Sequence, residues 1–342
     1  MDEKQIEDKK KHAGEKHPSM KRRDDFNDYY DRRIYMITLE VVGREPVLGT
    51  VVGDPTAASG SGNEPRVELT PLGKAVESQW LGIPSHFREI EVMGLQIMPD
   101  HLHGILYVHE RLPVHLSRVI GGFKTGCNKA WRELTGRGHF AAHPQTAEDI
   151  GDGTGRGLFA KNYNDLILKS YEEFQHWKKY LADNPRRLLI KRMQPELLRP
   201  FFDYEAAGYV LNGVGNRSLL AKPKRLNVRI STRLKNEELE KTVKRYLNEA
   251  EAGAVLISPS ISPGEKMVMR AAFNQKLPTV VIMPNGFTPL TKPKGEQFDA
   301  CAEGRLLLLS AWEHRNERIV LTKFLCERMN LIALALSTYR LT

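Results

Sequence analysis

An α+β domain built on an antiparallel sheet, followed by an α/β domain built on a parallel sheet, is the architecture that this 342-residue chain predicts. Three observations lead there. Residues 33 to 134 run strand, helix, strand, strand, helix, with two consecutive strands joined at Pro99-Asp100. From Arg225 onward short apolar, β-branched runs alternate with amphipathic stretches, the signature of a parallel sheet covered by helices. Between the two lies a polar, glycine-containing stretch, and the length itself favours two domains. The expected boundaries are a charged tail over 1–30, a first domain over 31–192, a connector over 193–222 and a second domain over 223–342.

The tail is rich in charge and poor in aliphatic residues, so it cannot offset the entropy of ordering and reads as flexible. Arg33 to Val42, RIYMITLEVV, reads as the first strand. GDPTAASGSGNEP, Gly53 to Pro65, reads as a loop, and Leu69 to Gln79 as the helix after it. Arg88 to Met98 and Leu102 to Val108 are the next two strands. Leu116 to Leu134 spaces Val119, Ile120, Phe123, Cys127, Ala130, Trp131 and Leu134 as one apolar helical face. Gly136 to Gly157 loses periodicity and reads as an excursion whose His139 and His143 are surface residues. Ser170, with Glu173 reaching back to its amide, opens a helix whose stripe is Phe174, Trp177 and Leu181, with Tyr180 off the stripe and Pro185 as the stop. In the second domain the order is strand (RLNVRIS), helix (Glu237 to Glu251), strand (AVLISPSI), helix (Gly264 to Gln275), strand (TVVIMPN), strand (RLLLLSAW) and a helix from Asn316.

A formal net charge of +9 favours a polyanionic partner such as nucleic acid. Cys127, Cys301 and Cys326 show no CxxC spacing, which argues against a disulfide framework or zinc knuckle and suits a reducing compartment. The N-terminal region has basic clusters without an apolar h-region, and no stretch has the length of a membrane span. A soluble cytoplasmic protein with no membrane partner is expected.

His101 and His103 stand one residue apart in MPDHLHGILYV, so on a strand both imidazoles face the same way at a spacing of ~6.6 Å, close enough to share a metal ion. The same pair also fits a half-exposed sheet face. Tyr180 and Asn184 are four residues apart, on one face of a helix. A phenol is a weak nucleophile, but a metal that polarises a phosphodiester lets it attack, and two imidazoles with an amide oxygen leave coordination positions for phosphate oxygens.

These segments, MPDHLHGIL at 98–106, Gly121-Gly122-Phe123-Lys124, and Tyr180-Leu-Ala-Asp-Asn184-Pro185-Arg186-Arg187, resemble the single-tyrosine HUH transposases, specifically the REP-associated tyrosine transposase branch, over residues 30 to 190. The resemblance implies a ferredoxin-like fold, His101 and His103 as ligands of Mg²⁺ or Mn²⁺, Asn184 as the third ligand and Tyr180 as catalytic nucleophile. It implies metal-dependent cleavage and transfer of single-stranded or hairpin DNA, by monomers or a homodimer. Tyr163 is the rival nucleophile, and His176, one turn before Tyr180, reads as a solvent-facing residue that could also take the phenolic proton. Lys124, Lys129, Arg132, Arg186 and Arg187, continued by Lys191 and Arg192, could line a groove for phosphates or simply form charged helix faces. Trp131 and Trp177 read as core. A DNA-binding or regulatory protein that keeps the fold without cleaving is the alternative.

The second half resembles the Rossmann-like domains of DNA-processing-protein-A-like proteins, without a GxGxxG or Walker motif. The turn after AVLIS leads into a helix start, so Ser258, Ser260, Ser262 and Gly264 form a candidate anion or nucleotide site, with Asn285-Gly286-Phe287 as its other wall. A packing or dimerising domain is the other expectation.

Overall fold

The computed structural model describes residues 27–58, 60–136, 157–234 and 236–341. Most of the expected tail and the excursion that carries His139 and His143 lie outside these. The chain forms two compact units that meet in sequence at Ile190 and Lys191.

The first unit is organised by a four-stranded antiparallel sheet. Its strands are β1 (Arg33–Glu40), β4 (Ile90–Met98), β5 (His101–Val108) and β6 (Asn164–Leu168), in the order β4-β5-β1-β6. A separate hairpin, β2 (Gly49–Val52) with β3 (Arg66–Leu69), flanks the loop, so Leu69 ends a strand where a helix was expected to begin. Helix α1 (Pro71–Leu81) starts after Thr70, whose hydroxyl accepts from the Gly73 amide. A short turn, α2 (Ile83–His86), leads into β4, and α3 (Leu116–Thr135) follows β5.

Alternation along β1 and β5 divides the sheet into two faces. Tyr35, Ile37, Leu39, Leu102 and Leu106 join Val76 and Trp80 of α1 and Val119, Ile120 and Phe123 of α3 in the main core. Tyr29, assigned to the tail by composition, is buried in this core at 4% exposure. Met36, Ile105 and Leu168 on the other face pack against Phe174 and Leu181 of α4 (Tyr171–Met193). Gly104 lies on the core face, where an added Cβ would stand 2.1 Å from the Trp80 ring. A glycine is therefore what lets the fully buried indole seat against the middle of β5.

The expectation that Pro185 stops α4 is overturned. Ser170 Oγ accepts from the Glu173 amide at 3.1 Å, and Glu173 reaches one residue further back than expected, to the Lys169 amide at 2.7 Å. The helix then runs through Pro185 to Met193. An interior proline removes one amide donor and costs about 3 kcal/mol. Asn184, Pro185 and Ile190 are all buried, and packing of this segment offsets that loss.

The second unit holds a seven-stranded mixed sheet in the order β13-β9-β10-β11-β12-β8-β7. Five strands are mutually parallel: β9 (Arg225–Asn227), β10 (Val255–Ser258), β11 (Thr279–Ile282), β12 (Leu306–Ser310) and β13 (Tyr339–Arg340). The stretch 193–222 is not a connector. It supplies α5 (Pro195–Leu198) and two strands, β7 (Phe201–Ala206) and β8 (Tyr209–Gly215), with β8 antiparallel to both β7 and β12. Gly208 makes the turn between these strands, whereas Gly213 and Gly215 signal close approach: a Cβ on Gly213 would lie 2.4 Å from the Leu308 carbonyl oxygen. Helices α6 (Asn236–Glu251), α7 (Pro263–Asn274), α8 (Glu296–Ala302) and α9 (Lys323–Leu336) complete the unit. The last begins at Lys323, not Asn316, because Thr322 supplies the cap, accepting from the Leu325 amide. Among the described residues, no helix is long and apolar enough to cross a membrane.

Candidate active site

Strand β5 pairs His101 with Glu40 and His103 with Thr38 of β1, placing both imidazoles on the sheet face that α4 covers. Their ring centroids are 4.9 Å apart and nearly perpendicular, at 82°. Each ring is held through Nδ1. His101 Nδ1 lies 2.6 Å from an Asp100 carboxylate oxygen, which can only accept, so Nδ1 is the donor in this bond. His103 Nδ1 lies 2.8 Å from Thr38 Oγ1, in a hydrogen bond that either group can donate.

Burial, followed by the charges of His101 and Arg44, lowers the His103 pKa from 6.5 to about 3, with Asp100 opposing. His103 is therefore neutral at ordinary pH, the form that ligates metals. Burial pushes Asp100 up, but its hydrogen bond with His101 and the charges of His101 and Arg44 outweigh this and hold the carboxyl below its usual value. Arg44 donates to Asp100 at 3.3 Å and also pairs with Glu40. Asp100, Thr38 and Arg44 were missed by the sequence reading. Asp100 had one legible signal, its position directly before His101.

Tyr180 meets His103 edge to face at 6.4 Å between ring centroids and Trp177 at 5.3 Å. It therefore packs with the apolar cluster under α4 and is not off that face, as had been expected. The Arg187 guanidinium carbon lies 5.7 Å from the Tyr180 ring centroid, while Arg186 makes a two-pronged bond to Asp183 at 2.6 and 3.1 Å. Asn184, one turn beyond Tyr180, is 9% exposed, and its Nδ2 is buried with no hydrogen-bond partner among the described residues. Rotating the amide by 180° about χ2 fills the same space and puts Oδ1 at that position. Among the described residues, no three His, Cys, Asp or Glu side chains group as a metal site.

The remaining candidates separate from this cluster. Tyr163 is buried at 6% exposure, with the Lys124 ammonium 5.9 Å from its ring centroid. His176 is exposed, as expected, and stacks edge-on against Trp177. Lys124 donates to the carbonyls of Ala160 and Lys161, which makes it a brace for that segment and not a free groove cation. Lys129 pairs across a helical turn with Glu133 at 3.9 Å, and Arg132 bonds the Asn128 carbonyl. Trp131 is half-buried and packs on the main core.

In the second unit the expected anion site is already filled by the protein. Ser262 caps α7 in a full capping box, and the buried Glu265 carboxylate accepts from the Ile261 and Ser262 amides at 2.9 and 3.1 Å. The Ser258 hydroxyl accepts from the Ser260 amide, and Gly264 is needed because a Cβ there would stand 2.6 Å from Ile230. A negative carboxylate on these amides disfavours a phosphate at Ser258, Ser260, Ser262 and Gly264. Asn285, on the expected opposite wall, accepts from the Gly286 and Arg315 amides and donates to the Arg315 carbonyl.

No protein-family model matches the chain. Over 178 residues it is 28% identical to an uncharacterized protein of Haemophilus influenzae, an alignment that takes in 46% of this chain and 83% of that protein. Solved structures similar to it include DNA processing protein A from Helicobacter pylori, described for its single-stranded DNA binding mode, at 20% identity and a TM-score of 0.29 over 38% of this chain and 58% of that one. Another is a REP-associated tyrosine transposase bound to a REP hairpin, at 12% identity and a TM-score of 0.28 over 47% of this chain and 72% of that one. DNA processing protein A from Streptococcus pneumoniae is 19% identical with a TM-score of 0.31, over 50% of this chain and 60% of that one. The chain thus spans less than two thirds of either DNA processing protein A.

Proposed function

We propose that the first unit cleaves and rejoins single-stranded DNA, at hairpin-forming ends, with Tyr180 as the catalytic nucleophile. The observation that supports this reading is the approach of the Tyr180 ring to His103, itself paired with His101, with the orphaned amide of Asn184 one helical turn beyond Tyr180. His101 and His103 through Nε2 and Asn184 through Oδ1 would hold Mg²⁺ or Mn²⁺, which supplies charge neutralisation at the scissile phosphate. Asp100 accepts from His101 Nδ1, and a Thr38 hydroxyl accepting from His103 Nδ1 would likewise leave that ring's Nε2 for the ion.

The Tyr180 oxygen attacks phosphorus and gives up its proton to solvent as a phosphotyrosyl bond forms. The P–O3′ bond breaks, and the departing oxygen takes up a proton as a 3′-hydroxyl. Attack by a second 3′-hydroxyl reverses the step and transfers the strand. Arg187, beside the tyrosine ring and 3.8 Å from an Asp183 carboxylate oxygen, would donate to a non-bridging phosphate oxygen.

The test is incubation of the full chain with hairpin-tailed single-stranded DNA and Mn²⁺, followed by denaturing electrophoresis. Wild type yields a covalent protein–DNA species that Tyr180→Phe lacks. Adduct formation by Tyr180→Phe would transfer the role to Tyr163, and the absence of adduct with wild type on every hairpin tried would sink the reading. Mn²⁺ should also raise the unfolding temperature of wild type and not of His103→Ala, a readout independent of cleavage.

A further inference from the structure

At the far end of the sheet face that carries the histidines lies a cavity of about 530 Å³. Its floor is a row of directly paired residues across three strands: Tyr107 of β5 opposite Ile34 of β1, and Ile34 opposite Leu168 of β6. Tyr107 lies four residues after His103 on the same face of β5, roughly 13 Å along the strand. Arg32, Arg33 and Lys169 form the rim, all three exposed, and no carboxylate lines the cavity. None of the three is in an ion pair among the described residues: Arg32 donates to the Tyr107 hydroxyl at 2.6 Å and Arg33 to the Arg32 carbonyl. Fixing the Tyr107 hydroxyl from one edge orients the ring.

We propose that this cavity is a nucleotide-binding subsite for the single strand whose scissile phosphate lies at Tyr180. A base rests on the Tyr107–Ile34–Leu168 floor, and the flanking phosphates meet Arg33 and Lys169. The pairing of an aromatic, apolar floor with an acid-free cationic rim is what single-stranded nucleic acid requires, since stacking accepts any base and the cations follow the backbone. An acidic peptide would use the rim but not the floor. This inference rests on the proposed function for the direction of the strand, while the cavity can be tested without cleavage.

Binding of a fluorescent single-stranded oligonucleotide to the full chain is measured in EDTA, over a series of salt concentrations. Tyr107→Ala should weaken binding about fivefold to a hundredfold. Arg33→Ala with Lys169→Ala should make the slope of log K against log salt shallower by about 1.4, the value for two single-strand phosphate contacts. Both positions of the double variant are exposed, and an unchanged unfolding temperature confirms that the fold is kept. Unaltered affinity and slope in both variants would overturn the subsite, as would competition by polyglutamate equal to that by unlabelled oligonucleotide. Cavity-dependent binding by a chain that never forms the covalent adduct would leave the subsite standing and remove only the Tyr180 reading. An adduct formed with cavity-independent binding would do the reverse.

Discussion

In the turn after β10, Glu265 occupies the amides of Ile261 and Ser262, Ser258 takes that of Ser260, and the polar groups of the segment bond to one another. In the first unit the protein stops short of that closure: Nδ1 of each imidazole of the histidine pair is engaged, Nε2 of each has no protein partner among the described residues, and on α4 the amide nitrogen of Asn184 is buried without one. Both regions look like sites in one dimension, because both place polar residues at the end of a strand. A buried polar group without a partner costs about 1–3 kcal/mol, so a ligand that met the Asn184 amide would recover what the protein itself leaves unmade. The turn after β10 retains no such group, and its serines are explained by the backbone they hold.

Acid titration should give the largest effect. His103 has a folded pKa of about 3 against 6.5 for the free side chain, so the unfolded chain takes up a proton that the folded one refuses. Stability is therefore intact above pH 6.5 and falls as the pH drops from 6.5 toward 3, by up to about 1.4 kcal/mol per pH unit. Asp100, held below its usual value, adds loss in the same direction at lower pH. Urea unfolding at stepped pH should show this slope in wild type, with His103→Gln keeping only the lower-pH part. A wild-type curve that is flat between pH 6.5 and 4 would contradict the burial assigned to this ring.

Next in size, Asp100→Asn should weaken Mn²⁺ binding about 10- to 100-fold, read as a displaced midpoint in metal titrations of unfolding temperature. Undiminished affinity would mean that the carboxylate does not orient His101. Glu265→Ala should cost about 1–3 kcal/mol in urea unfolding through two abandoned amides, while leaving the Mn²⁺ response of the first unit as in wild type. A Glu265→Ala chain that gains phosphate binding without losing stability would break the contrast between the two regions. Smallest, Asn184→Leu should stabilise the metal-free chain by about 1 kcal/mol while abolishing the Mn²⁺ response, because it replaces an unsatisfied amide with an apolar group. Destabilisation in EDTA would show that the amide has a structural partner after all.

The histidine strand was legible because a period of two fixes which side chains share a face, and that rule holds regardless of what packs behind. Helix α3 was legible for the parallel reason, since its apolar residues repeat at helical spacing. The course of α4 was not, because proline reports a lost hydrogen bond, whereas burial of Asn184, Pro185 and Ile190 depends on packing that sequence spacing does not reveal. Strand β8 was hidden by Gly213 and Gly215, a residue type that marks loops in most contexts and here admits the carbonyls of β12. Asp100 and Thr38 act through hydrogen bonds to the two rings. The Thr38 contact spans 65 residues, a separation at which no local pattern operates.

The seating of Trp80 against Gly104 ties the history of the histidine strand to a residue on its opposite side. Since the indole takes the volume that a side chain at 104 would need, neither position is free to drift alone. Relatives of this chain should trade volume between the two, with a residue larger than glycine at 104 accompanied by one smaller than tryptophan at 80. A pair of sites that covary in this way, without either touching substrate, would be a hereditary trace of the strand that carries His101 and His103.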